Sequence, residues 1–164
     1  MHTIRKLARV LLVLVPLACG GGDEAAQAAP EVPSGAAGDT ATSADGCPET
    51  GLWQQCNVEK RIERAGLVAT AMPDTARKDF LAVPGLRYDL GRGELQLYLY
   101  ADSVARKRDT DRLDPERAAP PGQGGGWSTR ARLITSNNMA AVLLTTNETL
   151  AERVGLALGA GLPR

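Results

Sequence analysis

The sequence predicts an α+β fold for residues 47–164, with a four-stranded, mostly antiparallel sheet and its helices packed on one face. Two observations lead to this fold class. Two pairs of strand-like segments are each joined by a short polar turn, and each pair precedes a segment whose apolar residues have helical spacing. With one further helix in front of them, the predicted order is α, then ββα twice.

The first helix is expected to begin at Asn57, whose side chain can cap its N-terminus. Its apolar residues lie on one face at helical spacing: Val58, Ile62 and Ala65. Gly66 should end the helix in the left-handed conformation that glycine adopts without strain. Residues 68–79, interrupted by Pro73, show no period and are predicted to be irregular.

The first strand pair follows this segment. In residues 86–90 apolar and charged residues alternate, which indicates a strand with one buried face. Residues 91–93 supply a glycine turn, and residues 94–100 return with three leucines on one face. Asp102 should cap a second helix, whose narrow apolar side leaves most of it, including Arg106, exposed to water.

The second strand pair comes after residues 115–126, which hold three prolines and four glycines and are predicted to form a long mobile loop. Residues 130–135 form the third predicted strand. The six residues 139–144 are all apolar, so this fourth strand should be central and covered on both faces. Thr145, Thr146 and Asn147 each offer a cap for the last helix, which should pack on Leu143 or its neighbours. The inner stripe of this helix consists of apolar residues: Leu150, Val154, Ala157 and Leu158.

The first eighteen residues have the three parts of an export signal. Three basic residues precede an apolar stretch at residues 10–17, and the small residue Ala18 follows. An apolar stretch of about eight residues is too short to cross a bilayer core of roughly 30 Å as a helix. We therefore predict a removable signal peptide at residues 1–18 and no transmembrane anchor there.

Residues 15–19 read VPLAC and resemble the lipobox of bacterial lipoproteins, except that Pro16 stands where the pattern has an aliphatic residue. The resemblance implies that Cys19 is lipidated; a cleaved signal without lipid and an uncleaved cytoplasmic protein are the alternatives. The chain is then exported and held at the cell envelope by a lipid anchor in the membrane. In a cell with two membranes, the outer membrane or the periplasmic face is the expected location.

Residues 20–46 are expected to form a flexible tether between Cys19 and the domain. They carry five acidic residues, no basic residue and no aromatic residue. Such a segment cannot bury enough apolar surface to offset the entropy lost on ordering. As a flexible coil it would reach about 30 Å.

If Cys19 is lipidated, two of the three cysteines remain, Cys47 and Cys56, and they can pair with each other. A disulfide between them is expected in an oxidising compartment, and closing a loop of about ten residues stabilises the fold by roughly 2–3 kcal/mol. The alternatives are a metal site, which needs further soft ligands, and a redox pair, which usually has the tighter C-x-x-C spacing.

Charge and composition exclude several functions. Nineteen basic residues balance nineteen acidic ones, whereas nucleic-acid binders show a strong basic excess. The only histidine is His2, within the signal, so the mature chain has no imidazole for nucleophilic catalysis or for metal binding. No nucleotide-binding glycine motif is present. We expect no cofactor, no metal and no nucleic-acid partner.

Three residues form a candidate binding surface. Tyr98 and Tyr100 project on the same side of their strand, and Trp127 follows in the glycine-rich loop. If these rings are exposed, they provide a stacking surface for a glycan or a peptide. If a helix covers them, they belong to the core or its rim.

Two other patterns favour structural interpretations. Three acidic residues, Asp109, Asp111 and Asp114, resemble a calcium ligand set, but arginines interleave with them, which favours a charged helix face. Gly155 and Gly159 form a G-x-x-x-G pattern, which in an amphipathic helix favours close packing of the helix on the sheet.

Two stretches resemble a family of small bacterial lipoproteins to which no activity is attached. They are residues 47–60 (CPETGLWQQCNVEK) and residues 133–144 (LITSNNMAAVLL). The likeness extends over most of residues 47–162 and implies one small α+β domain. It transfers no site residues.

The leading hypothesis is a non-enzymatic, envelope-anchored module that binds an envelope protein or has a structural role. A small-ligand or glycan-binding lipoprotein is the first alternative, supported by the candidate surface at Tyr98, Tyr100 and Trp127. An enzyme without histidine chemistry is the second alternative, and no catalytic residue is proposed for it. An exposed apolar patch would favour a partner, whereas a deep pocket with a perturbed carboxylate would favour an enzyme.

Overall fold

The computed structural model describes Thr42 and residues 46–162. Its elements follow in the order α1 (Gln55–Arg64), β1 (Thr70–Lys78), β2 (Leu81–Asp89), β3 (Glu94–Leu99), α2 (Ser103–Thr110), β4 (Ala131–Ser136), β5 (Met139–Leu144) and α3 (Glu148–Gly159). No helix in this part of the chain has the length and apolar character needed to cross a membrane. The predicted signal peptide, Cys19 and nearly all of the tether lie outside the described residues.

The α+β class and the antiparallel sheet are confirmed, but the sheet has five strands in the order β1-β2-β3-β5-β4, not four. The additional strand is β1, within residues 68–79 that were expected to be irregular. Its register on β2 shifts between Ala71 and Thr75, and Pro73 lies inside that shift. A proline and two bulges are tolerated at a sheet edge, and together they remove the alternation by which a strand is recognised.

The strand at residues 139–144 is interior, as predicted, and all six of its residues are buried. Leu143 lies in one apolar cluster with Leu150 and Val154 of α3. The three leucines of β3 line the same side, because Leu95 and Leu97 belong to this cluster and Leu99 packs at its margin.

The helices do not all share one face of the sheet, which corrects the predicted arrangement. Helices α1 and α3 contribute Ile62 and Leu158 to the cluster that contains Leu143, and we call this side the helical face. On the opposite side, Ala105 of α2 and Leu113 join a second cluster. We call this side the loop face. A second cover is necessary because the continuously apolar strand β5 presents buried side chains on both sides.

The loop face is closed mainly by irregular chain. Phe80 and Leu81, at the tip of the β1–β2 hairpin, join the second cluster together with Ala118. The segment predicted to be a mobile loop is anchored in its first half, because Leu133 of the edge strand β4 donates a backbone hydrogen bond to Pro115 (2.7 Å). Leu113, Ala118 and Ala119 are buried in the core at either end of this stretch, whereas residues 115–117 are exposed.

Local capping follows the sequence signals closely. Asp102 and Asn147 each accept a hydrogen bond from the backbone N–H three residues further on (2.7 and 2.9 Å). Gly66 adopts a φ of +68° after α1, as expected. Helix α1 begins earlier than predicted: Gln54 is the N-cap, and Asn57 accepts from the Gln54 N–H in a reciprocal capping box.

The expectation that Arg106 is exposed is wrong. Only 8% of the residue is accessible. Its Nε donates to the Asn137 carbonyl (3.0 Å) and its Nη1 to the Thr110 hydroxyl (3.2 Å). Arg106 thus fastens α2 to the turn between β4 and β5, a contact that no pattern within α2 reveals.

Close packing occurs at other glycines than those predicted. A Cβ on Gly155 or Gly159 would have no neighbouring atom within 4 Å, so the G-x-x-x-G pattern does not mediate close helix–sheet packing. In contrast, a Cβ on Gly85 would lie 2.7 Å from the Tyr98 ring. Gly85 therefore allows the β1–β2 hairpin to lie against Tyr98 on the loop face.

Candidate functional site

The structure places Tyr98 and Tyr100 in the core of the loop face, with exposures of 0% and 5%. The Tyr98 hydroxyl donates to Gln96 (2.8 Å) and that of Tyr100 to Asp109 (2.9 Å). Burial raises the pKa of Tyr98 to about 12. Burial and the bond to Asp109 also raise the pKa of Tyr100. Tyr98 and Tyr100 therefore belong to the core, which was one of the two interpretations of this pair. They offer no stacking surface.

Trp127 is partly buried and packs against the loop-face cluster that contains both tyrosines. Its ring meets Phe80 edge-on at 6.2 Å and carries the Lys78 ammonium 4.0 Å from its centroid. Lys78 also donates to the carbonyls of Gly125 and Gly126 (2.8 and 3.0 Å). These contacts join the hairpin tip to the glycine-rich segment.

A groove of about 560 Å³ lies between the hairpin tip and the glycine-rich segment, and we call it the hairpin groove. Its lining includes the side chains of Arg77, Phe80 and Arg112 and the backbone of Gly124. Lys78 also lines the groove, but its ammonium already contacts two carbonyl groups and the Trp127 ring. The groove is open and lined largely by turns.

The cysteines pair as predicted. Cys47 and Cys56 form a disulfide, with their Cα atoms 5.7 Å apart. Cys56 lies in the first turn of α1, and Cys47 is fully buried. The bond therefore fastens the start of the domain to the helical face.

Residues 47–60 and 133–144 contact each other through Asn138. The Asn138 side chain accepts from the Trp53 N–H (2.7 Å) and donates to the carbonyls of Trp53 and Tyr100 (3.1 and 3.0 Å). The Trp53 indole donates to Ser136 (3.1 Å). Since Asn138 is only 2% exposed, these bonds satisfy buried backbone groups. Asn138 and Trp53 therefore have a structural role.

A polar ladder runs along the loop face from the sheet edge inward. Arg87 donates two hydrogen bonds to the two oxygens of Glu94 (2.7 and 2.8 Å) and also pairs with Asp74. Gln96 donates to Glu94 (2.7 Å) and accepts from Tyr98. The bonds from Arg87 lower the pKa of Glu94. Glu94 is thus an ionised structural partner, which does not suit a proton donor at neutral pH.

A different arrangement lies on the helical face, where α1 and α3 each contribute an arginine that donates to a backbone carbonyl at the end of the other helix. Arg61 of α1 donates to the Gly161 carbonyl beyond the end of α3 (2.9 Å). Arg153 of α3 donates to the Ala65 carbonyl at the end of α1. The helices therefore run antiparallel, and each C-terminus receives a guanidinium that complements the helix dipole.

These arginines border a depression of about 360 Å³ between the two helices. Its apolar lining is formed by Ala65, Ala157 and Leu156, and Leu156 is 70% exposed. Arg64 contributes a third guanidinium to the border. One buried nitrogen, Nε of Arg61, has no hydrogen-bond acceptor among the described residues.

A second depression of about 360 Å³ adjoins the first and shares Arg153 as a wall. Its apolar lining consists of leucines: Leu67, Leu90 and Leu150. Arg92 lies on its far side. We call the two depressions together the arginine groove; no carboxylate side chain lines either of them in the part of the chain that the structure describes.

Sequence reasoning missed the arginine groove because its parts come from segments 88 and 100 residues apart. One local signal was present. Leu156 lies outside the buried stripe of α3. Its large apolar side chain therefore had to be either exposed or covered by an element other than the sheet.

The chain matches no protein-family model, and no curated protein or solved structure shows significant similarity to it.

Proposed function

We propose that this chain is an exported, lipid-anchored module of the cell envelope that binds another envelope protein and is not an enzyme. The arginine groove on the helical face carries the proposal. It combines an exposed leucine, small alanines and arginine side chains on two rigid helices.

This composition is suited to protein recognition. Arginine is enriched at protein interfaces because its planar guanidinium donates several hydrogen bonds at once and also packs on apolar groups. Leu156 can bury its exposed surface in a partner, and full burial of a leucine contributes about 1.5–3 kcal/mol. The alanines beside it allow a partner's backbone to approach closely.

The proposed anchor fits the same role. A lipid on Cys19 would hold the chain at the membrane, and the acidic tether at residues 20–46 would let the domain reach partners within about 30 Å. The arginine groove has no need of a cofactor or metal for this function.

A second candidate function is the binding of a small ligand or glycan in the hairpin groove. The observation that favours it is a single volume of about 560 Å³, larger than either depression of the arginine groove, beside the aromatic pair Phe80 and Trp127. The lining is open and lies on turns, so we rank it below the arginine groove.

Site-specific photo-crosslinking in the native envelope tests the proposal. A photoreactive amino acid replaces Leu156 in the full chain, and the matched control replaces Val104, an exposed residue of α2 that is 59% accessible. We expect discrete protein adducts from position 156 and none of the same size from position 104. Equal adducts from both positions, or none from position 156, would contradict the proposal.

The anchor is tested separately by metabolic labelling with a fatty-acid probe. The wild-type chain should carry the label, and Cys19→Ser should not. A labelled mutant or an unlabelled wild type would remove lipidation from the proposal and leave the groove to be judged on its own.

A further inference from the structure

We infer that the partner segment bound in the arginine groove is an acidic amphipathic helix, whose carboxylates flank an apolar stripe. This inference rests on the proposed function and specifies the chemistry of the partner. It follows from the charge of the groove, the shape of its floor and the elements that build it.

The charge of the arginine groove requires carboxylates. Arginines line both of its depressions: Arg61, Arg92 and Arg153. Arg61 and Arg153 donate to backbone carbonyls, which hold the guanidinium groups in place without neutralising their charge. Carboxylates from a partner would form charge-assisted and often bidentate hydrogen bonds with such groups.

The floor of the groove requires an apolar stripe between those carboxylates. Leu156 protrudes from the first depression, and leucines line the second on the other side of Arg153. An occupant that crosses both depressions therefore meets apolar surface twice, with a guanidinium between. A partner segment matches this alternation if it has an apolar residue at every third or fourth position and glutamates beside them.

The backbone of the occupant should be helical. The depression between α1 and α3 is built from helix side chains and has no unpaired strand edge. An extended peptide would leave its own N–H and C=O groups without partners over this apolar surface, whereas a helix bonds them internally. A helix laid between α1 and α3 would add a third member to the helical face.

A membrane surface fits this region less well. Glu63 and Glu152 are exposed on the outer turns of α1 and α3, outside the groove lining. A flat anionic surface would meet these carboxylates together with the arginines. A single helix is narrow enough to contact the arginines alone.

Peptide binding to the full chain in nonionic detergent micelles tests the inference by fluorescence anisotropy. The probe is a labelled synthetic helix of about 18 residues, roughly 27 Å long, with leucine at every third or fourth position and glutamate on both sides. We expect Leu156→Glu and Arg92→Glu each to weaken binding about tenfold or more, the loss of one central contact. Binding should also weaken as salt is raised.

Matched variants on the loop side control for general effects of charge. Val104→Glu changes another exposed aliphatic residue of a helix, and Arg108→Glu changes another exposed arginine. Both variants should bind the peptide as the wild type does. Circular dichroism checks that each variant is folded, and Leu156→Glu remains decisive if Arg92→Glu is not folded.

Several results would overturn the inference. One is equal binding of a peptide in which lysine replaces every glutamate. Another is binding of anionic phospholipid vesicles that Leu156→Glu abolishes, without peptide binding. A third is self-association of the chain that depends on Leu156. If the peptide does not bind while position 156 still crosslinks to a protein, the inference fails and the proposed function stands; if neither occurs, both fail.

Discussion

The two sides of the sheet are covered in different ways. The helical face is closed by α1 and α3, whose buried stripes contribute Ile62, Val154 and Leu158 to a continuous apolar cluster. The loop face is closed by the short helix α2, the β1–β2 hairpin tip and irregular chain around Ala118. The two packed helices leave a depression between them, whereas the irregular cover leaves the hairpin groove, which is open and lined by turns.

The polar groups of the two faces also differ in their partners. On the loop face, Arg87, Glu94 and Gln96 bond to one another, and Arg106 bonds to backbone and hydroxyl groups. On the helical face, Arg61 and Arg153 bond to carbonyls and keep their charge. Arg61 and Arg153 therefore keep a positive charge that a partner can meet.

The largest expected effect comes from a matched pair of leucines in β5. Leu143 points to the helical face and Leu144 to the loop face, and both are buried. We expect Leu143→Ala to lower the free energy of unfolding by about 4 kcal/mol and Leu144→Ala by about 3 kcal/mol, since irregular chain collapses more readily into a cavity. Chemical denaturation measures both. A larger loss for Leu144→Ala would contradict the difference between the faces.

The disulfide gives the next largest effect, on the helical face. Cys56→Ala opens a loop that spans nine positions in sequence, and we expect a loss of roughly 2–3 kcal/mol in stability. Thermal unfolding with and without reductant measures it. Reductant should lower the midpoint of the wild type and leave that of Cys56→Ala unchanged. A midpoint of the wild type that does not respond to full reduction would show that the bond adds no stability.

The helical face was the more predictable one, for a physical reason. Its signals are local: an apolar stripe in α3, a cap at Asn147 and a glycine after α1 at Gly66. Each depends on neighbours within about one helical turn, which a sequence displays directly. The antiparallel pairing and the interior position of β5 followed in the same way from the turn residues and an unbroken apolar run.

The loop face depends on contacts that the sequence does not display. Pro73 and two bulges interrupt the alternation of apolar and polar residues in β1. The pairing of β1 with β2 could therefore not be predicted from the sequence. Arg106 is buried because of Asn137, 31 residues away. The arginine groove was equally hidden, since it exists only where α1 and α3 meet. Long-range contacts decide which charged residue is buried and which is available.

Arg106 and Arg108 test this dependence on the loop face, with a smaller effect. Both are arginines of α2, but Arg106 is buried with two hydrogen-bond acceptors and Arg108 is exposed. We expect Arg106→Ala to cost about 1–3 kcal/mol, because the Asn137 carbonyl loses its partner. Arg108→Ala should stay within about 0.5 kcal/mol of the wild type. Equal effects in urea denaturation would mean that the contacts of Arg106 do not stabilise the fold.

The smallest expected effect concerns acid stability and the polar ladder. Because Arg87 lowers the pKa of Glu94 below its unfolded value of 4.5, the folded state favours the ionised carboxylate. This contribution to stability is complete above about pH 4.5 and is lost as the pH falls through the lowered pKa of the folded state.

Glu94→Gln removes the titrating group and one charge of the pair. At neutral pH we expect this variant to be less stable by about 1 kcal/mol, since Glu94 and Arg87 are both mostly buried. Below pH 4.5 the difference from the wild type should shrink. Glu152→Gln, at an exposed carboxylate of α3, is the control and should follow the wild type throughout. A gap between Glu94→Gln and wild type that stays constant from pH 7 to about pH 2.5 would show that the Arg87–Glu94 pair does not depend on ionisation of Glu94.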